Sequence, residues 1–348
     1  MTTYIHILTS LESGGAQRVF LSFVSGTKKD RHIVYYLKGQ NFFSSELQEL
    51  GAEVQRIHGI SSVLSAIKSA KSGGPTIIGW MYHACIFTVL FWLFGKGEKI
   101  IWSIHHGRLS PGDSLSAKFA ARICALISSC VPAHIIYPSE ASKIENQAVG
   151  FASGKNTHVV YNPVDDKYFR PPSSNRDVIS FGFSGRNHPG KRYDMFLEAA
   201  MNACDYNKDV KVYIAGKGTN SNVVTNLINM RNLQENFHLY GQVSDLEEFY
   251  DRVSYFVSVS ETETFGLTAV EAYARGCNII CSDIRAFREV LPVRGVTFLA
   301  DPSVASLTEL LITKSEEIPV SNDIKQVEVY TQRSFLSSFM NVINGELG

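Results

Sequence analysis

The stretch YFVSVSETETFGLTAVEAYARGCNIICSD (255–283) decides how the fold is read. Residues 255–260 form a short apolar run rich in β-branched and aromatic side chains, and residues 278–283 form a second. Between them a loop containing Gly266 leads into a helical stretch that includes Glu271. Strand, loop, helix, strand is the repeating unit of a parallel sheet, whose neighbouring strands need a long crossover between them. The same rhythm continues outward. Further strands are expected at 178–185, 210–216, 237–241 and 296–300, and earlier at 4–9, 32–37, 76–81, 99–105, 134–139 and 158–162. Amphipathic stretches such as 16–25 and 44–50 lie between them. Strands that are apolar along their whole length imply a sheet buried on both faces.

The segment YNPVDDKYFRPPSSNRD (161–177), rich in Pro, Asp and Ser, breaks the alternation and reads as a linker. The last segment, 323–343, has helical spacing through Ile324, Val327, Tyr330, Phe335, Phe339 and Ile343. The expected fold class is α/β, with two doubly wound, Rossmann-like domains facing each other across a cleft. Their expected bounds are 1–165 and 166–322, with a terminal helix at 323–348 packing back on the first domain. A length of 348 residues suits two domains. Ligands of such sheets bind beyond the carboxyl ends of the strands.

A chain that is 45% hydrophobic and 19% charged has the composition of a globular protein and excludes a disordered one. Lys plus Arg equals Asp plus Glu at 33 each, so total charge singles out no partner, and no nucleic acid is expected as one. Residues 1–160 are net positive and the remainder net negative. That suits an anionic membrane surface or acceptor, and equally suits random scatter. The six cysteines include no C-x-x-C pair and read as reduced, buried residues of a cytosolic protein. The opening MTTYIHILTS reads as a strand and not as a secretory signal. Residues 77–94 are nearly long enough to cross a membrane, but Gly79, Tyr82 and His83 interrupt them, and a buried strand followed by a helix is expected.

Four elements carry candidate chemistry. Glu263 precedes the helix and Glu271 lies inside it, so both can face one crevice, where carboxylates accept paired hydrogen bonds from sugar and ribose hydroxyls. The amides near Phe265, Gly266 and Leu267 open that helix and can face an anion. Such a Glu pair is also compatible with a helix-dipole contact plus an exposed helical residue. In FGFSGRNHPGKRYDMFLEAA (181–200), Arg186 and Lys191 flank a strand-to-helix loop. Two cations there suit a diphosphate and its departure as a leaving group, or are simply solvated. In LESGGAQRVF (11–20), Gly14 and Gly15 open a helix after the first strand and let a phosphate approach. The pattern is neither G-x-G-x-x-G nor a P-loop, so it does not support nicotinamide or ATP binding. In IIWSIHHGRL (100–109), His105 and His106 follow an apolar strand, and the alternation of side chains turns one of them toward the crevice.

In order along the chain, SGGAQR, WSIHH, YNPVD, SGRNHPGKRYD, IAGKG, LYGQVSD and SETETFGLTAVEAYARGCNIICSD resemble the family 4 retaining glycosyltransferases over nearly the whole length. The resemblance implies the GT-B fold and a retaining, metal-independent transfer from a nucleotide diphosphate sugar, UDP-linked in preference to GDP-linked. It implies a glycan or lipid-linked acceptor and a role in cell-surface polysaccharide synthesis. Arg186 and Lys191 would hold the diphosphate and Glu271 the ribose. Glu263 with the Phe265, Gly266 and Leu267 amides would hold the transferred sugar and phosphate. Gly241, Gln242 and Val243 would line the base pocket, Gly15 would approach the phosphate, and His105 matches the family's crevice histidine better than His106. The catalytic set implied is Glu263, His105, Arg186 and Lys191. No cofactor and no metal are expected, and the chain has no D-x-D triplet. Two other readings stay open: a nucleotide-sugar epimerase of the same fold, and a non-catalytic nucleotide-sugar-binding partner. On the acceptor side, residues 114–130 place Leu115, Phe119, Ile123 and Leu126 on one helical face with Lys118 and Arg122 beside it. That face suits peripheral contact with the inner leaflet of the plasma membrane by a cytoplasmic protein, or ordinary core packing.

Overall fold

The computed structural model describes the chain except residues 13, 40–41, 59–61, 63–64, 68–73, 95–98, 108–113, 171, 173–175, 177 and 347–348. Part of the expected linker and Ser13 of the glycine-containing entry therefore lie outside the described residues. The chain divides into two compact units: unit 1 is Met1–Pro163 with Gln332–Gly348, and unit 2 is Val164–Thr331.

Among the described residues, unit 1 is built on a seven-stranded sheet in the order β3-β2-β1-β4-β5-β6-β7. The strands are β1 (Thr3–Ser10), β2 (Arg31–Lys38), β3 (Glu53–Arg56), β4 (Thr76–Trp80), β5 (Lys99–Ser103), β6 (Ala133–Tyr137) and β7 (Thr157–Val159). Every pairing is parallel. β4 is buried at all five residues, as a strand covered on both faces must be. The apolar run at 77–94 divides into β4 and a helix, as its composition suggests, and no described helix is long and apolar enough to cross a membrane. Helices α1 (Gly15–Gly26), α2 (Ser44–Glu49), α3 (Tyr82–Leu93), α4 (Leu115–Ile127) and α5 (Glu140–Ala148) connect the strands. β3 is the strand that the sequence does not announce, because its residues EVQR are mostly exposed on a sheet edge.

Unit 2 is a six-stranded parallel sheet in the order β10-β9-β8-β11-β12-β13. Its strands are β8 (Ser180–Ser184), β9 (Lys211–Ala215), β10 (Phe237–Gly241), β11 (Tyr255–Ser258), β12 (Asn278–Ser282) and β13 (Val296–Leu299). Helices α6 (Tyr193–Tyr206), α7 (Asn222–Met230), α8 (Glu247–Arg252), α9 (Leu267–Ala274), α10 (Arg285–Val290) and α11 (Val304–Ser315) alternate with them.

Three readings of the sequence need correction. The segment at 323–343 is not one helix. Ile324–Tyr330 is a 3-10 turn that stays in unit 2, where Val164 bridges to Thr331, and only α12 (Gln332–Asn344) joins unit 1. Cys130 is exposed, unlike the other five cysteines. The buried face of α4 consists of the small residues Ala120, Ala121, Cys124 and Ala125, while Leu115, Phe119 and Leu126 are exposed. Small side chains let that helix sit close to its neighbours, and the larger apolar ones are left outside.

α12 completes the core of unit 1. Its Phe339 is fully buried, with its ring 4.8 Å from Phe23 of α1 and stacked at 18° on Trp80 of β4. The Lys99 ammonium donates to the Ile343 carbonyl at the far end of the helix, a favourable position for a cation. Removing a buried aromatic of this kind typically costs about 3–5 kcal/mol. Phe339→Ala should therefore lower the unfolding free energy of unit 1 by about that amount in urea titrations. A change within experimental scatter would show that α12 is not part of this core.

Candidate functional site

Unit 2 gathers its candidate residues on the loops at the carboxyl ends of its strands, and main-chain hydrogen bonds stitch those loops together. After β8, Gly185 N donates to Ala215 O at 3.0 Å and Asn187 N to Lys217 O at 3.0 Å, joining the first loop to the one after β9. Gly216 N donates to Gly241 O at 2.6 Å, adding the end of β10. Glu261 N donates to Gly190 O at 2.9 Å, adding the loop after β11. At Gly216 a side chain is impossible: φ is +137° and a Cβ would stand 1.8 Å from Gly185 O. The IAGKG stretch is thus a packing requirement as well as a motif.

Lys191 and Glu263, 72 residues apart, meet here. The Lys191 ammonium lies 2.5 Å from Glu263 Oε1, and the buried Ser260 hydroxyl donates to the same oxygen at 2.9 Å. Arg186 is exposed on the same loop as Lys191. The loop turns through a short 3-10 segment, Pro189–Lys191, and then through Arg192 in the left-handed region at φ 51° before α6 begins. His188 accepts from Gly190 N at 3.2 Å and fixes the turn.

Helix α9 starts from Gly266 at φ +82°. A Cβ there would be strained, and it would also stand 2.4 Å from the Phe287 ring. Leu267 is half-buried, and Phe265 is fully buried edge-on against Tyr330 at 5.1 Å, so Phe265 offers the edge its backbone. Glu271 is 3% exposed, one turn into α9, and accepts from the Tyr250 hydroxyl at 3.0 Å. Behind the helix, buried Arg275 pairs with Asp251 at 2.5 and 3.0 Å and donates to the carbonyls of Lys167 and Arg170. Gly241, at φ +64°, ends β10 against Asn220, and Val243 follows it half-buried.

Gly15 and His105 belong to unit 1. Gly15 is the first residue of α1, and a Cβ there would meet no atom within 4 Å. His105 follows β5 and stacks on Trp80 at 14°. Its Nε2 is 2.9 Å from the Ser103 hydroxyl, while its Nδ1 is sealed from solvent with no partner among the described residues. Burial lowers its pKa from the usual 6.5 to about 4, so the ring is neutral at pH 7. His106 is held differently. Its carbonyl accepts from Asn146 Nδ2 at 2.9 Å and from the Tyr82 hydroxyl at 3.4 Å. Met81, just after β4, has φ 75° and ψ 161°, a backbone region costly for any residue but glycine.

The sequence reading missed Ser260, Tyr250 and the Arg275–Asp251 pair. Ser260 ends the strand-like run three residues before Glu263 and could have been found there. Tyr250 lies on a different helix from Glu271, 21 residues away, and no local pattern links the two.

This architecture belongs to a known class. A solved structure of Anabaena Alr3699/HepE in complex with UDP and glucose superposes with a TM-score of 0.81 over 98% of this chain and 99% of that one, at 16% identity. The lipopolysaccharide outer core galactosyltransferase WaaB superposes at 0.71 over the whole of both chains, with 18% identity. The fold is GT-B. Residues 164–325, nearly all of unit 2, match the family described as glycosyl transferases group 1. The Escherichia coli O-antigen biosynthesis glycosyltransferase WclY is 24% identical over 220 residues, covering 58% of this chain. The Saccharomyces cerevisiae phosphatidylinositol N-acetylglucosaminyltransferase GPI3 subunit is 25% identical over 209 residues, covering 52% of this chain. The matches span 60% and 46% of those two relatives' own lengths.

The neutral burial of His105 has a consequence for stability. The folded ring titrates at about 4 and the unfolded one near 6.5, so the unfolded chain binds the extra proton as pH falls between those values. His6, His32, His134 and His158 of the same unit are shifted downward too, first by burial. Stability from the His105 ring is present above about pH 6.5 and is lost as pH falls toward 4, and the other four rings contribute in the same direction. The melting temperature should drop across that window, and less steeply in His105→Gln. Parallel profiles for the two proteins would contradict the assignment.

Proposed function

We propose that the chain is a retaining, metal-independent glycosyltransferase of family 4. It moves a sugar from a nucleotide diphosphate sugar, UDP-linked in preference to GDP-linked, to a glycan or lipid-linked acceptor in cell-surface polysaccharide synthesis. The observation that carries this reading is the cluster of Lys191, Glu263 and Ser260 on stitched loops, with Arg186 on the same edge and Glu271 one turn into the adjoining helix. The names of the relatives, and the UDP and glucose in the Anabaena structure, support it.

Each role follows from the chemistry of the group. Arg186 and Lys191 take up the charge that grows on the diphosphate as it leaves, supplying the positive charge that a metal brings in other enzymes. Glu271 accepts hydrogen bonds from the ribose hydroxyls. Glu263, with the first amides of α9, holds the transferred sugar and the adjacent phosphate. Gly241 and Val243 line the base pocket. In unit 1, Gly15 leaves its surroundings open to a phosphate, and neutral His105 meets a sugar hydroxyl or phosphate. The acceptor hydroxyl attacks from the face the diphosphate leaves, through an oxocarbenium-like transition state.

The same reading places the protein on the inner face of the plasma membrane. Leu115 and Leu126 are 84% and 80% exposed on α4, and Leu93 and Phe94 are exposed at the end of α3. Cys124 Sγ donates to Tyr82 O, which packs α4 against the start of α3. Neither helix contains an acidic residue, and α4 carries Lys118 and Arg122. An apolar surface edged by cations suits anionic lipid.

Lys191→Ala and Glu271→Ala should each cut sugar transfer at least about a hundredfold while the protein stays folded, and EDTA should leave the parent rate unchanged. Near-parent rates in both variants would sink the site assignment, and loss in EDTA with recovery in Mg²⁺ would sink the metal-free mechanism. The membrane surface is tested separately by flotation. The protein should bind vesicles containing phosphatidylglycerol more than pure phosphatidylcholine ones, and Phe119→Glu/Leu126→Glu should abolish the difference. Equal binding by parent and variant would remove the membrane proposal.

A further inference from the structure

We propose that Tyr250 is a positioning residue for the nucleotide site, orienting the Glu271 carboxylate so that the site distinguishes a ribonucleotide from its deoxy analogues. The inference rests on the reading of Glu271 as the ribose-binding residue.

Tyr250 is fully buried on α8, and its hydroxyl lies 3.0 Å from Glu271 Oε2 and 3.1 Å from the carbonyl of Thr268 in the first turn of α9. A phenol has one proton, and the charged carboxylate is the stronger acceptor. A hydrogen bond to Oε2 fixes the rotation of the carboxylate about its last side-chain torsion, which is otherwise broad. A carboxylate held in one plane presents its lone pairs in one direction, so a vicinal diol can engage it without first ordering it.

The phenol ring has little freedom of its own. Tyr168, Phe249 and Phe256 meet it edge-on with centroids 5.5, 5.4 and 5.8 Å away. The Tyr250 carbonyl accepts from Arg176 Nη2 at 3.0 Å, and Arg176 also donates to the carbonyls of Asp251, Arg275 and Gly276. The helix that carries the tyrosine and the end of the helix that carries the glutamate are thus clamped by one guanidinium. The adjacent Asp251–Arg275 ion pair joins the same two helices a second time. The hydroxyl-to-carboxylate distance is therefore set by a rigid frame. Glu271 itself touches the ligand in this reading, and Tyr250 acts only through it.

The experiment measures binding by calorimetry of UDP and 2′,3′-dideoxy-UDP, and of the same pair in the guanosine series, to the parent, Tyr250→Phe, Glu271→Ala and the double variant. The parent should prefer the ribonucleotide, and Glu271→Ala should erase that preference. Tyr250→Phe, which keeps the ring and its packing, should weaken the ribonucleotide by about tenfold, the size of one hydrogen bond to a charged group, and leave the dideoxy nucleotide unchanged. The double variant should bind no worse than Glu271→Ala alone, because the tyrosine has nothing left to orient. An equal loss for both nucleotides, or additive losses in the double variant, would show a merely structural tyrosine and overturn the proposal. So would parent-like binding by Tyr250→Phe while Glu271→Ala loses its preference. If Glu271→Ala keeps the preference, or no nucleotide binds the parent, the underlying ribose reading fails and the proposal fails with it.

Discussion

The constraint on which the structure depends is that a parallel strand cannot be followed directly by its neighbour. Each strand of unit 2 must return through a helix, so every loop that leaves a strand emerges on the same edge of the sheet. The order β10-β9-β8-β11-β12-β13 adds a second consequence. The chain begins in the middle, builds outward to one side, then returns to the middle and builds to the other. Between β8 and β11 the two outgoing loops therefore part in opposite directions and leave a crevice. Lys191 lies on the loop after β8 and Glu263 on the loop after β11, so the ion pair between them stands at that crevice. Unit 1 repeats the arrangement, with its reversal between β1 and β4. Gly15 follows one of those strands and the strained Met81 the other.

A crevice alone does not hold side chains in register, and unit 2 uses buried polar groups for that. Arg275 is 3% exposed, yet it reaches Asp251, Glu247 and two carbonyls of the 166–170 turn region. Burying such a charge is unfavourable unless its donors are occupied, and an apolar replacement often costs nothing in stability. What the network achieves here is positional: it joins α8, α9 and the chain entering unit 2 at fixed distances. Tyr250 and Glu271 sit on the two helices so joined. Rigidity of the frame and placement of the carboxylate are one property seen at two ranges.

The fold was legible because buried parallel strands are apolar throughout, a signal that needs no partner to be seen. β3 escaped because an edge strand of EVQR has no such run. The residues at 323–331 escaped for a different reason. Val327 and Tyr330 have the spacing of a helix face, but both are buried in unit 2, and a 3-10 turn satisfies the same pattern over one or two turns. In α4 the periodicity was real but its direction was not readable. Two faces were apolar, one large and one small, and the small one was buried. Of the site, residue type and loop position pointed to Lys191, Glu263, Glu271 and Gly266. Their mutual contacts were not legible, since the Lys191–Glu263 and Tyr250–Glu271 pairs depend on strand order and on helix placement.

The Lys191–Glu263 pair also bears on what a diphosphate meets under the proposed reading. The lysine is already neutralised by a carboxylate that a serine hydroxyl holds in place, so the edge does not present a bare cation cluster to solvent. A diphosphate must take the ammonium over from Glu263, and Arg186, exposed on the same loop, is the cation it can reach first. As the ammonium turns to the phosphate, Glu263 loses its counterion and its oxygens become available to hydroxyl donors. The transferred sugar carries such donors and sits next to the phosphate that displaced the carboxylate. Binding of the diphosphate and release of the sugar-holding group are then one exchange of hydrogen bonds. Under that reading, free anions lacking the sugar would engage Lys191 at the cost of leaving the half-buried Glu263 carboxylate without its counterion, held by the Ser260 hydroxyl, which favours the intact donor over inorganic phosphate.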